Sequence, residues 1–231
     1  LSRLVLIPTP IGNLEDITLR ALNTLKSCRF VLAEDTRTAG FLLKHFDIQV
    51  PLRPFHKFNE HKVLDNLLDQ IEACECVGLI SDAGTPGISD PGFLLVRACI
   101  ERGIDVECLP GPSALIPALV VSGFPTDRFV FEGFLPHKKG RQTAWIRLRD
   151  EERTVVLYES PYRLTKALAE ICEWVDPRRR VAVCRELSKK FEEIRRGEAA
   201  EVLAYFSQKP VKGEIVLVME GCSGERNLDK K

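Results

Sequence analysis

The sequence predicts an α/β protein of two lobes, with a mostly parallel sheet in the first and a mixed sheet with helices in the second. Three observations predict it. Short apolar runs alternate with stretches of helical spacing over the first half of the chain, the pattern of βαβ units. Clusters of Gly, Pro and small polar residues follow several of the apolar runs. A turn-rich segment, Ser122–Asp127 (SGFPTD), interrupts the alternation, and beyond it strands outnumber helices.

Each element has its own signal. Leu4–Ile7 (LVLI) reads as the first strand and Leu19–Leu25 as the first helix. Phe30–Ala33 (FVLA) is a strand, Gly40–Phe46 a short helix and Leu52–Phe55 a weaker strand. Val63–Ala73 carries apolar residues at 63, 64, 67, 68 and 71, a helical stripe. Val77–Ile80 is a strand, Phe93–Glu101 a helix and Ile104–Leu109 a strand. Ser113–Val121 is a helix that Ser113 can cap. After the break, Phe129–Phe131, Val155–Tyr158, Val181–Cys184, Glu192–Arg196 and Ile215–Met219 are expected strands. Helices are expected around Thr143–Leu148, Leu164–Val175 and Ala199–Phe206. The lobes are therefore 1–122 and 123–221, followed by a polar, fraying tail over 222–231.

Composition narrows the function. The 231 residues are 45% hydrophobic, enough for a proper core. Lys+Arg and Asp+Glu are both 33, so the chain lacks the overall basic charge of a general nucleic-acid binder. Residues 1–122 hold 11 basic and 15 acidic residues, and residues 123–231 hold 22 and 18. The second lobe is thus the more basic one. The eight cysteines lack paired zinc-type spacing and read as reduced, buried small hydrophobes of a cytoplasmic protein. Neither a metal nor a disulfide is expected. No apolar run approaches the ~20 residues that span a bilayer.

In an open α/β sheet, ligands bind beyond the carboxyl ends of the strands. Four unusual loops fall there: Pro8–Asn13 (PTPIGN), Glu34–Arg37 (EDTR), Ser81–Gly92 (SDAGTPGISDPG) and Pro110–Ala114 (PGPSA). None is a P-loop or a dinucleotide fingerprint. Asp82 and Asp90 would repel a polyphosphate, so the third loop better suits a ligand with an amine or hydroxyls.

The segments PTPIGNLEDITLRAL (Pro8–Leu22), AEDTR (Ala33–Arg37), SDAGTPGISDPG (Ser81–Gly92), PGPSAL (Pro110–Leu115), FEGFLP (Phe131–Pro136), YES (Tyr158–Ser160), REL (Arg185–Leu187) and GEIVLV (Gly213–Val218) occur in this order. The chain resembles the tetrapyrrole-methylase superfamily, and within it the branch that methylates small-subunit ribosomal RNA. The resemblance runs from Leu4 to Gly221. It implies a two-lobe tetrapyrrole-methylase-like fold, S-adenosylmethionine as cofactor, and transfer to the ribose 2′-oxygen of a cytidine in small-subunit rRNA. It implies that Pro10, Ser81, Asp82, Thr85, Ser113 and Ala114 line the cofactor cleft from the first lobe, with Tyr158, Leu187 and Gly213 contributing from the second. A homodimer is the usual assembly of such relatives. Many relatives also carry a C-terminal helical extension that this chain does not show.

Methyl transfer to a hydroxyl needs alignment and exclusion of water, and a nearby general base can assist so poor a nucleophile. Glu34, Asp35 and His56 are the candidates. The superfamily's corphin methylases carry a functional carboxylate at a position like Glu34. Arg37 can orient that carboxylate or hold an RNA phosphate, and Asn13 can position the ribose. The structural alternative for Glu34–Arg37 is the acidic start of a helix. In the second lobe, HKKGRQTAWIRLR (His137–Arg149) carries five Lys/Arg and no acid. Lys138, Lys139 and Arg141 are the expected phosphate contacts. Trp145 suits a helix's apolar face better than stacking on a base. Two other functions fit less well: a tetrapyrrole C-methyltransferase, and a non-catalytic cofactor- or RNA-binding protein.

Overall fold

The computed structural model describes residues 2–56, 60–208 and 210–222, with backbone alone for 60–63. Residues 57–59, which directly follow the candidate His56, and residues 223–231 of the expected tail lie outside the described residues. The chain forms two compact units, Leu1–Ser113 and Ala114–Lys231.

The first unit is built from β1 (Arg3–Leu6), α1 (Leu19–Ser27), β2 (Phe30–Ala33), α2 (Thr36–His45), β3 (Leu52–Pro54), α3 (Glu60–Glu72), β4 (Val77–Ile80), α4 (Phe93–Glu101) and β5 (Asp105–Cys108). Its five strands are all parallel, in the order β3-β2-β4-β1-β5. Successive residues of the central strands serve opposite faces, as a pleated strand requires. Val5 and Ile7 pack with Ala21, Leu25 and Leu43 under α1 and α2. Leu4 and Leu6 pack with Leu68, Ile71 and Leu95 under α3 and α4. A sheet covered on both faces explains why the expected strands read as unbroken apolar runs.

The expected helix at Gly40 begins earlier, at Thr36. Asp35 is its N-cap, accepting a hydrogen bond from the Arg37 N–H. Gly40 lies inside the helix.

The second unit contains α5 (Leu115–Ser122), β6 (Phe129–Phe134), α6 (Arg141–Arg149), β7 (Thr154–Glu159), α7 (Leu164–Trp174), β8 (Arg180–Arg185), β9 (Glu193–Glu198), α8 (Ala199–Phe206) and β10 (Ile215–Met219). The sheet order is β6-β7-β10-β8-β9. It is mixed: β6 runs parallel to β7, while β10 is antiparallel to both β7 and β8, and β9 is antiparallel to β8. Trp145, Leu168, Ile171, Val202 and Phe206 cover one face. On the other face α5 packs against β8 and β10.

That packing moves the division of the chain from Ser122 to Ser113. Helix α5 groups with the second unit because Ala118 and Leu119 bury against that sheet. The N-cap of α5 is Ala114, which makes no side-chain cap, so Ser113 does not cap it as expected.

Candidate active site

Three loops at the carboxyl end of the first sheet are fastened to one another. Thr9 and Gly84 form an isolated antiparallel bridge, each N–H donating to the other's carbonyl at 2.9 Å. The buried Thr9 hydroxyl donates to the Ser81 carbonyl at 3.0 Å, and the Ser81 hydroxyl to the Gly84 carbonyl at 3.3 Å. The Thr85 hydroxyl donates to the Pro112 carbonyl at 3.1 Å, which ties in the fourth loop.

Two glycines permit this closeness. Gly84 has φ +81°, a conformation that favours glycine. A Cβ on Gly111 would stand 2.5 Å from Pro8 Cβ. The result is a rim made largely of backbone, with Pro10 and Ser113 half-buried in it. Sequence reasoning misses Thr9, although a threonine between two prolines directly after a strand is the feature that marks it.

The acids converge on the same edge. β2 and β4 are neighbours, so the residues following them meet: the Asp35 N–H donates to Asp82 Oδ1 at 3.1 Å. Asp35 is otherwise engaged with Arg37, accepting from its Nε at 3.1 Å and its terminal nitrogen at 2.7 Å. Hydrogen bonds from Arg37 hold the Asp35 carboxyl down at about 2, whereas partial burial pushes Asp82 up. Arg37 therefore pairs with Asp35. Glu34, half-buried, directly follows β2, and His56 follows the neighbouring strand β3 at the same end. Asn13 accepts from the Glu15 N–H and so caps a single 3-10 turn, Leu14–Asp16. The candidate acids and the rim thus share one edge, and its negative charge suits a cationic sulfonium or amine. Among the described residues, no group of three or more His, Cys, Asp or Glu is placed to hold a metal ion.

In the second unit, β10 brings the remaining predicted residues together. Val216 lies opposite Tyr158, and Ile215 opposite Arg185. Tyr158, Leu187 and Gly213 consequently fall at one end of that sheet. Tyr158 makes edge contacts with Phe131 and Phe134. Gly213, at φ +91°, leaves room for Glu186: a Cβ there would lie 2.4 Å from Glu186 Cγ. Gly213 also borders a hollow of about 800 Å³ lined by Tyr162, Thr165, Gln208 and Lys212.

The basic stretch needs correction. Lys138 and Lys139 are exposed, as a phosphate contact requires. Arg141 is not: its side chain is 4% exposed and lies between Glu170, at 2.6 Å, and Glu159, at 3.0 Å. Glu170 also accepts from the indole N–H of the fully buried Trp145 at 2.9 Å. Arg141 is a core ion, compensated twice, and is removed from the RNA-binding set. The cysteines are also mixed. Cys28, Cys76, Cys99 and Cys184 are buried, but Cys108 and Cys222 are exposed. Burial pushes the Cys184 thiol up to about 12, so it is inert as a nucleophile.

Comparison with known proteins identifies the family. The model of tetrapyrrole (corrin/porphyrin) methylases matches residues 3–203. A Synechocystis protein named Ribosomal RNA small subunit methyltransferase I is 47% identical over 96% of this chain and 80% of its own length. A Thermotoga maritima protein of the same name is 44% identical over 96% of this chain and 99% of its own. Uroporphyrin-III C-methyltransferase from Thermus thermophilus, crystallised with S-adenosyl homocysteine, superposes with a TM-score of 0.65 at 21% identity, covering 94% of this chain and 97% of that one. With the parallel sheet, the rim at its carboxyl end and these matches, the chain belongs to the tetrapyrrole methylase family and, within it, to the ribosomal RNA small subunit methyltransferase I group.

Proposed function

We propose that the chain transfers the methyl group of S-adenosylmethionine to the 2′-hydroxyl of a cytidine in small-subunit ribosomal RNA, acting as a cytoplasmic homodimer. The observation that carries this reading is the 44–47% identity over about 96% of the chain to proteins named for small-subunit rRNA methylation. The first unit supports it. Its rim offers closely packed backbone, and Asp82 with its neighbouring acids offers negative charge, which together fit the amine and sulfonium of the cofactor.

When bound, S-adenosylmethionine supplies an electrophilic methyl carbon on a positively charged sulfur. The protein's part is to align the acceptor oxygen, exclude water and take up a proton. Glu34 is the carboxylate assigned to that proton. Asp35 is unsuited to it, because its oxygens are engaged by Arg37 and its carboxyl is held at about 2. Asp35 and Arg37 instead fix the start of α2. Lys138 and Lys139 contact phosphates, which supply register and affinity rather than chemistry.

The test is transfer of isotopically labelled methyl from S-adenosylmethionine to isolated small ribosomal subunits, followed by nuclease mapping of the labelled nucleoside. The expected product is a 2′-O-methylcytidine. Label appearing only in an added tetrapyrrole, or on an RNA base, would overturn the reading. Light scattering on the free protein checks the dimer.

A further inference from the structure

We propose that Phe191, at the tip of the loop between β8 and β9, is a preformed stacking platform for an unpaired base of the RNA acceptor, with Lys190 as its adjoining phosphate contact. This rests on the rRNA reading above. Phe191 is 67% exposed, and Lys190 Nζ lies 5.7 Å from its ring centroid. An aromatic beside a cation, both in water, is the elementary unit of single-strand recognition. The ring takes a base face of any sequence, and the cation takes the backbone.

The rest of the loop is held rigid around that tip. Glu186 and Ser188 are both in the left-handed region, at φ +54° and +68°. Backbone strain of this kind persists only where surrounding contacts impose it. Those contacts are present. The Glu186 N–H donates to the Glu214 carbonyl at 2.9 Å, and the Glu214 N–H donates to Glu186 Oε1 at 2.9 Å. Lys189 Nζ donates to both Glu186 and Glu214, each at 2.9 Å. The Ser188 N–H donates to Glu192 Oε2 at 2.7 Å. At the far end, Glu193 accepts from Arg185 Nε at 2.8 Å and from the Tyr205 hydroxyl at 2.5 Å.

The loop's carboxylates therefore each have a cation, a hydroxyl or an N–H against them, and Lys190 is the charge presented beside the ring. Fixing the backbone that carries the ring before binding removes part of the ordering cost of association.

The test compares Phe191→Ala, Phe191→Leu and Phe191→Trp for binding to isolated small ribosomal subunits, with S-adenosylmethionine affinity, melting temperature and light scattering measured alongside. Stacking predicts that Ala and Leu each weaken subunit binding about tenfold or more, that Trp preserves it, and that the fluorescence of the introduced indole is quenched on binding. Cofactor affinity and melting should stay unchanged. Wild-type binding by the Ala variant would overturn the platform alone. Binding retained by Leu would make the contact merely apolar, and loss of dimer by Ala would make it a contact between copies. Either outcome overturns the proposal. A wild-type protein that methylates no ribosomal RNA would overturn the functional reading itself.

Discussion

The acidic edge of the first unit and the basic stretch in the other unit are similar in sequence, as short segments crowded with charge, yet they are built oppositely. At the acidic edge, backbone does the fastening. Thr9, Gly84, Thr85 and Pro112 close the rim through main-chain groups and hydroxyls. Asp82 and Glu34 bring their carboxylates to that edge, where Asp35 is already engaged by Arg37. In the basic stretch, a charged side chain does the fastening. Arg141 is drawn inside and ties α6 to β7 and α7 through Glu159 and Glu170. Charge available for chemistry is therefore found where the backbone satisfies its own hydrogen bonds. Where side chains must hold helices together, the charge is used up in the core.

The sharpest way to break this comparison is at Glu34. Glu34→Gln removes a proton acceptor from the edge while keeping its shape. Methyl transfer should fall about 100-fold or more, with cofactor affinity by calorimetry little changed. Unaltered turnover would remove Glu34 from the chemistry.

Next in size is the buried hub. Glu170→Ala leaves Arg141 with one carboxylate and the Trp145 indole N–H without its acceptor. Breaking a buried pair of this kind costs about 3–5 kcal/mol, and thermal melting of the second unit should register it. A change below about 1 kcal/mol would mean that Glu159 alone compensates Arg141.

The surface part of the stretch should behave differently again. Lys138→Ala with Lys139→Ala should leave melting unchanged but weaken binding to small ribosomal subunits. The log–log salt slope should drop by about 0.7–0.9 for each phosphate that is no longer neutralised. An unchanged slope would show that these lysines face only solvent.

The smallest effect concerns Asp35. Its folded carboxyl, at about 2, lies below its ordinary value of 3.8. Between those values the unfolded chain binds more protons than the folded one. The stabilisation is complete above about pH 4 and is lost as pH falls toward 2. Asp35→Asn should flatten acid unfolding in that window, and an unchanged profile would show that the Arg37 contact contributes nothing.

Much of the fold is legible in the sequence because its signals are local. Phe30–Ala33, Val77–Ile80, Phe93–Glu101, Ala199–Phe206 and Ile215–Met219 have the bounds that their apolar patterns predict. The differences are long-range or positional. Arg141 reads as a surface cation because its partners lie 18 and 29 residues away, and burial of a charge is decided by partners. The strand at Phe129 continues to Phe134 through a bulge between Phe131 and Gly133, where alternation fails as a guide. Helix α5 reads as part of the first lobe because its apolar residues do not say which sheet they will cover. At the site, the loops are visible from their glycines and prolines. That Asp35 is spent on capping, and that Thr9 is the fastener, depends on which neighbouring strands bring their ends together.

The bond from Thr9 to Ser81 spans 72 residues, and this fixes an order of assembly. No local segment can form it. Its closure entropy must be met by the intervening strands and helices, and β4 must already lie beside β1. A nascent chain that has not yet released β4 from the ribosome therefore has β1 and its Pro-Thr-Pro loop but no rim. The edge proposed to bind the cofactor is completed only after α1, β2, α2, β3 and α3 have been made.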